Sequence, residues 1–401
     1  MTATETTTST PRTAGVPWRS PALVAILAAT LMTPIDVPLI SPVLPEIQAV
    51  FGLSESRAGL LITVYALPGI VLAPVVGALA DRVGRRYVLS GCLGLFGLAG
   101  TAIAFTNEFT VALGLRLLQG VVAGSLLSAL AMTAVDDRYT GTQHDAVVGV
   151  TAAMLSLGTA VYPLLGGYLA EYAWNAPFLL YALTLPVAGL VLVGLDDCDA
   201  SLDAGGRGYV REALQAIPTL RAFTLYGIMF VSFTLLFGGF YTALPFYLAG
   251  EFGYPPATVG LVSGAVLLVA AVVSTQNGRA AARLSKTTLL IVGFALYAGG
   301  FLGVALAHAP VLLVGALLVF GAGSGLVTPT LFASLSALAP DRLRAGVMSL
   351  QTTTIGVSQV VGPVLFTTVG GATGYQSTLL GASLAATLFT AVLAVAPLDP
   401  R

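Results

Sequence analysis

Charged side chains are scarce in this sequence: Asp, Glu, Lys and Arg make up 9% of its 401 residues. A soluble domain carries about 25%. With so little charge and 56% hydrophobic residues, this chain is solvated by lipid. Cysteine occurs twice, as Cys92 in a hydrophobic run and Cys198 in a polar stretch, which excludes a disulfide framework. The two histidines, His144 and His308, fall between hydrophobic runs, so neither suits a proton relay inside a membrane. A net charge of −1 argues against nucleic acid as a partner. No metal-ligand cluster, phosphate loop or nucleophile–base constellation is present, so an enzyme is not expected. Lysine occurs once (Lys286) against sixteen arginines, a bias pointing to a prokaryotic source. The first 20 residues are polar and lack an apolar core, so they do not read as a cleavable signal peptide.

What the chain has is hydrophobic runs long enough to span hydrocarbon, which takes about 20 residues. Twelve can be drawn: 21–45, 58–80, 87–106, 109–132, 146–170, 174–195, 222–249, 257–277, 287–307, 310–335, 345–369 and 374–396. Counting bases on alternate sides of these runs puts fifteen on the side of the N-terminus and only Arg57 on the other. That asymmetry predicts both termini in the cytoplasm of a multi-pass plasma-membrane protein. Residues 1–20 are then a cytoplasmic tail, 21–195 and 221–396 two six-helix bundles, 196–220 a cytoplasmic linker and 397–401 a short tail.

The two halves repeat each other at an offset of about 200 residues. Leu44-Pro45 matches Leu244-Pro245, Phe51-Gly52 matches Phe252-Gly253, and Gly114, Gly120 and Gly124 match Gly315, Gly321 and Gly325. Pro163 likewise matches Pro363. A parallel repeat of six helices is one way transporters are built, with the site between the repeats near mid-membrane.

Two ionisable residues interrupt the runs, Asp36 in the first and Arg116 in the fourth. A charge at the bilayer centre costs at least ~2.5 kcal/mol, so each calls for a reason. Asp36 lies about 15 Å from the outer end of its helix and Arg116 about 10 Å, within the reach of an arginine side chain. The matching positions in the second half are apolar: Leu236 or Phe237 for the acid and Leu317 for the base. A static ion pair and a proton-coupling pair both fit these residues.

Four local signatures resemble the major facilitator superfamily, and within it the twelve-helix drug/proton antiporters. Gly77-Ala-Leu-Ala-Asp81-Arg82-Val-Gly84-Arg85-Arg86 fits the superfamily's loop signature between helices 2 and 3. Asp36 with Leu44-Pro45 is similar to the first-helix motif, with Ser41 where the family often has Asn, and Gly114-Leu-Arg116-Leu-Leu-Gln119-Gly120 resembles the fourth-helix arginine motif. Gly149, Gly158, Tyr162, Pro163, Gly166 and Gly167 follow the antiporter signature of helix 5, except that Tyr162 replaces a glycine.

The resemblance implies an all-helical fold of two six-helix pseudo-repeats working by alternating access. It implies a latch at Gly77, Asp81, Arg82, Gly84, Arg85 and Arg86, and proton coupling at Asp36 and Arg116. It further implies a proton gradient as the energy source with no cofactor or metal, and a small lipophilic molecule and protons as ligands. Helix 7 would line the cavity with Tyr226, Phe230, Phe233, Phe237, Phe240 and Tyr241, joined by Gln119; packing or lipid contact explains such a stripe equally well. A metabolite carrier on the same scaffold (for a sugar, amino acid or organic anion) and a non-transporting sensor are the alternatives. Oligomeric state is left open, with a monomer the simplest expectation.

Overall fold

The computed structural model describes residues 16–122, 132, 134–195, 220–338 and 344–395. The predicted tails and the linker 196–220 therefore lie almost wholly outside the described residues. What is described is all helix: α1 (Pro21–Phe51), α2 (Glu55–Val83), α3 (Arg85–Ile103), α4 (Phe109–Val122), α5 (Gly141–Ala170), α6 (Ala176–Gly194), α7 (Ala222–Phe252), α8 (Pro256–Ala281), α9 (Lys286–Leu306), α10 (Pro310–Leu338), α11 (Arg344–Thr373) and α12 (Tyr375–Val395). Ten of these are long and apolar enough to cross a membrane. α2 is described but is not among the ten, and the described part of α4 ends at Val122.

The repeat is visible in the backbone. α1 and α7 each end on a glycine in the left-handed region, Gly52 at φ 59° and Gly253 at φ 63°. Glycine is the residue that adopts this conformation without a Cβ penalty, so the matched Phe-Gly pairs are matched helix stops.

Neither helix is regular, and the two depart from regularity differently. In α1, Pro34, Pro38 and Pro42 each lack an N–H, and the helix tightens into 3-10 turns over Thr33–Ile35 and Ser41–Val43 on either side of Asp36. In α7 the stretch Leu235–Ala243 is a π-helix, whose wider turn contains Gly238 and Gly239. Thr242 repairs part of it by donating its hydroxyl to the Phe237 carbonyl at 2.7 Å.

The two halves meet chiefly toward one end. A methyl on Gly260 of α8 would run into the carbonyl oxygen of Pro163 in α5, and one on Gly167 into that of Pro256. Gly59 of α2 lies against Thr367 of α11, and Ser41 of α1 donates to the Tyr241 carbonyl of α7 at 2.6 Å. At the other end α5 is open: Ala152, Ala153, Leu155 and Leu157 are exposed, whereas Gly158, Ala160, Tyr162 and Pro163 are buried. α8 shows the same change in reverse, buried at Val262 and Val266 and exposed at Leu268 and Val272.

Candidate functional site

The site is built where the prolines have loosened α1. Ile35 and Val37 are buried, while Asp36 between them is half-buried. Arg116 of α4 is 0% exposed, the largest fully buried side chain described. A buried guanidinium needs its donors met. Nε donates to the Leu61 carbonyl of α2 at 3.0 Å, and Nη1 to Gln119 Oε1 at 3.0 Å and to the Tyr181 hydroxyl of α6 at 3.2 Å. The Tyr65 ring of α2 covers its face with the centroid 4.6 Å away. Nη2 has no hydrogen-bond partner.

The sequence leaves open whether Asp36 and Arg116 touch, and here Arg116 makes its hydrogen bonds elsewhere. Asp36 and Arg116 act on each other electrostatically, but Arg116 spends its bonds on a carbonyl, an amide and a phenol. Two tyrosines interact with both residues. Tyr65 presents its phenol toward the Asp36 carboxyl and its ring to Arg116. Tyr181, 0% exposed, holds its hydroxyl 3.5 Å from the carbonyl oxygens of both Ile35 and Asp36. Neither tyrosine belongs to a motif. In the sequence each is one aromatic residue in an apolar run.

α3 makes room for this cluster. A methyl on Gly100 would collide with the Tyr181 ring and the Gln119 amide. Gln119 passes the network on, donating from Nε2 to the Phe96 carbonyl at 3.1 Å. With 0% exposure it is an internal strut and does not line a cavity, against expectation.

The aromatic stripe of α7 is also divided. The π-helix changes the register after Thr234, so residues spaced for one α-helical face separate. Tyr226 and Phe230 line a groove of about 310 Å³ with Leu350, Thr353 and Thr354 of α11. Phe233 is buried edge-on to Phe332 of α10, and Phe240, 1% exposed, stacks on Phe320 of the same helix. Phe237 stacks between Phe233 and Tyr241, and Tyr241 is itself buried with its carbonyl taken by Ser41. The stripe therefore serves a groove, a packing core and an interface between halves, and does not form one cavity wall.

The helix 5 signature splits in two as well. Gly158, Tyr162 and Gly166 face α1: a methyl on Gly166 would meet the Leu39 carbonyl, and the Tyr162 hydroxyl donates to the Leu31 carbonyl at 3.0 Å. Pro163 and Gly167 face α8 across the interface. Gly149 has nothing within 4 Å of where a Cβ would stand. Of the predicted latch, the surroundings of Gly77 and the side chains of Asp81, Arg82 and Arg85 lie outside what is described. Gly84 caps α3 at φ 103°, a conformation favouring glycine, and Arg86 lies over the Tyr87 ring.

The family model of the Major Facilitator Superfamily matches residues 26–255 and 222–401. The chain is 26% identical over 359 residues to the class B tetracycline resistance protein of Escherichia coli, covering 86% of this chain and 87% of that protein. It is 29% identical over 369 residues to the class G tetracycline resistance protein of Vibrio anguillarum, covering 88% and 91%. Its fold is similar to an inward-facing, unoccupied bacterial homologue of the human lysosomal transporter Spinster, with TM-score 0.80, 16% identity and coverage of 94% and 96%. A helical repeat carrying an acid at a loosened first helix and a buried arginine in the fourth, with these relatives, places the chain in the major facilitator superfamily: it is a membrane transporter of small molecules and not an enzyme, and it resembles the drug/proton antiporter branch.

Proposed function

We propose that the chain is a proton-coupled exporter of lipophilic small molecules, working by alternating access with Asp36 as the proton-carrying group. The observation that carries this reading is Asp36 itself, half-buried at a helix bend and acted on by a fully buried arginine. A carboxyl there can take a proton from water on one side of the membrane and release it to the other, provided that the two ends of the bundle open in turn. The Arg116 charge favours the ionised carboxyl and burial favours the neutral one, so a motion that changes either balance moves the proton.

All twelve helices then span, both termini are cytoplasmic, and the closed end with Ser41, Gly167 and Gly260 is the outer one. On that orientation the described conformation is the inward-facing one. The interface between α5 and α8 is built around Gly167, Gly260 and Gly264, and such close small-residue packing lets the halves rock. Support for export comes from relatives whose names are those of tetracycline resistance proteins, a multidrug efflux pump of Lactococcus lactis and a quinolone resistance protein of Staphylococcus aureus. The membrane helices near Asp36 are poor in amide and charged groups, which suits a lipophilic substrate better than a sugar or an amino acid.

The test is transport in everted vesicles that carry a pH-sensitive dye, with tetracycline and ethidium as probes. The parent protein discharges the pH gradient as probe accumulates. Asp36→Asn and Arg116→Ala abolish both signals. Probe accumulation with proton movement in Asp36→Asn would falsify the reading.

A further inference from the structure

We infer that Tyr181 is a positioning residue for proton coupling, holding Arg116 away from Asp36 and relaying between them through its phenol. This rests on the proton-coupling reading above. The hydroxyl accepts from Arg116 Nη1 at 3.2 Å, a normal hydrogen bond, whereas its own hydrogen has only the Ile35 and Asp36 carbonyls, both at 3.5 Å. One side of the phenol is thus firmly held and the other loosely, since 3.5 Å lies at the limit of a hydrogen bond. Arg116 has one edge free, Nη2, which finds no acceptor. While Tyr181 stays in place, the guanidinium remains tied to Leu61, Gln119 and the phenol.

The hydrogen bonds exchange as follows. When Asp36 is ionised, the phenol O–H turns from the backbone carbonyls to the carboxylate, and Arg116 follows it toward α1. When Asp36 is neutral, the phenol returns and Arg116 withdraws. Tyr181 keeps its proton throughout; only Asp36, which is partly exposed where Arg116 and Tyr181 are fully buried, exchanges one with water. The groups facing this switch are Tyr65 of α2, Arg116 of α4, Tyr162 of α5 and Tyr241 of α7. Tyr65 is less suited to relay, because it meets Arg116 only by its ring face. Tyr181 is also the group for which space is kept: Gly100 leaves room for its ring, Phe96 packs against it edge-on at 5.3 Å, and Phe178 stacks at 6.3 Å. None of these packing contacts needs the hydroxyl.

The test requires no substrate. Spin labels at Thr142→Cys and Ala282→Cys, at the open ends of α5 and α8, report the separation of the halves in a Cys92→Ala/Cys198→Ser background in lipid nanodiscs. The parent's distance distribution shifts between mildly acidic and mildly alkaline buffer. Asp36→Asn loses the shift, and so does Tyr181→Phe, which keeps the ring and its packing. A shift of parental size in Tyr181→Phe, with none in Asp36→Asn, overturns the role of Tyr181 and leaves the coupling reading standing. A shift that survives in Asp36→Asn, or is absent from the parent, overturns both. Should Tyr181→Phe fail to fold, 2,3-difluorotyrosine at 181 serves, because it retains the hydroxyl and strengthens it as a donor. The shift then persists but moves along the pH axis; an unmoved midpoint overturns the inference.

Discussion

The first and second halves solve the same packing problem with opposite chemistry. In the first, Gly100 of α3 leaves space that Gln119 of α4 and Tyr181 fill, next to Arg116. In the second, Gly300 of α9 leaves space that Phe320 of α10 fills. Phe320 there joins an aromatic cluster, stacked on Tyr297 at 4.7 Å and Phe240 at 5.4 Å, with Phe301 at 4.8 Å. Gln119 and Phe320 each directly precede a matched glycine, Gly120 and Gly321. Where one half has an amide, a guanidinium and a phenol, the other has rings. The fold needs only that the space be filled, so the polar version is present for some purpose other than packing. It also carries a cost, because each polar group must find a partner without water.

The largest expected effect comes from making the first half resemble the second. Arg116→Leu copies Leu317 and leaves the Leu61 carbonyl, Gln119 and the Tyr181 hydroxyl each short of a partner. At about 1–3 kcal/mol per buried unpaired group, thermal unfolding in detergent falls clearly and uphill export is lost. Next in size is the interface. Gly260→Val drives a side chain into the Pro163 carbonyl at about 1–3 kcal/mol of overpacking, and holds the closed end apart. A cysteine in place of Ser41, protected in the parent, then reacts with an impermeant thiol reagent added from outside.

A smaller effect is expected in the second half. Phe320→Leu removes part of the ring stack and lowers stability by about 1–2 kcal/mol, leaving proton coupling intact. The smallest is Gly149→Ala. Its place in the helix 5 signature equals that of Gly166, yet nothing surrounds it, so the change raises helix propensity and shifts unfolding by less than about 1 kcal/mol.

These contrasts separate what the sequence makes legible from what it hides. Helix stops at Gly52 and Gly253 and the two charges in apolar runs follow from local patterns. Tyr181 does not. It lies 65 residues from Arg116, and a tyrosine in a hydrophobic run looks like any other core aromatic until the helices are packed. The π-helix in α7 is hidden for another reason. Glycines 238 and 239 permit it, but close approach to Gly362 and Phe301 of neighbouring helices is the tertiary context around them. A stripe of aromatics counted at helical spacing therefore breaks at a point that the spacing itself does not mark.

The central claim is that coupling resides in one half only. It is tested most directly by proton movement in proteoliposomes loaded with a pH dye and driven by a tetracycline gradient. The dye responds for the parent and for Phe320→Leu, and stays flat for Asp36→Asn and Arg116→Leu. A parental response in Asp36→Asn, or equal losses from variants in the two halves, contradicts the account.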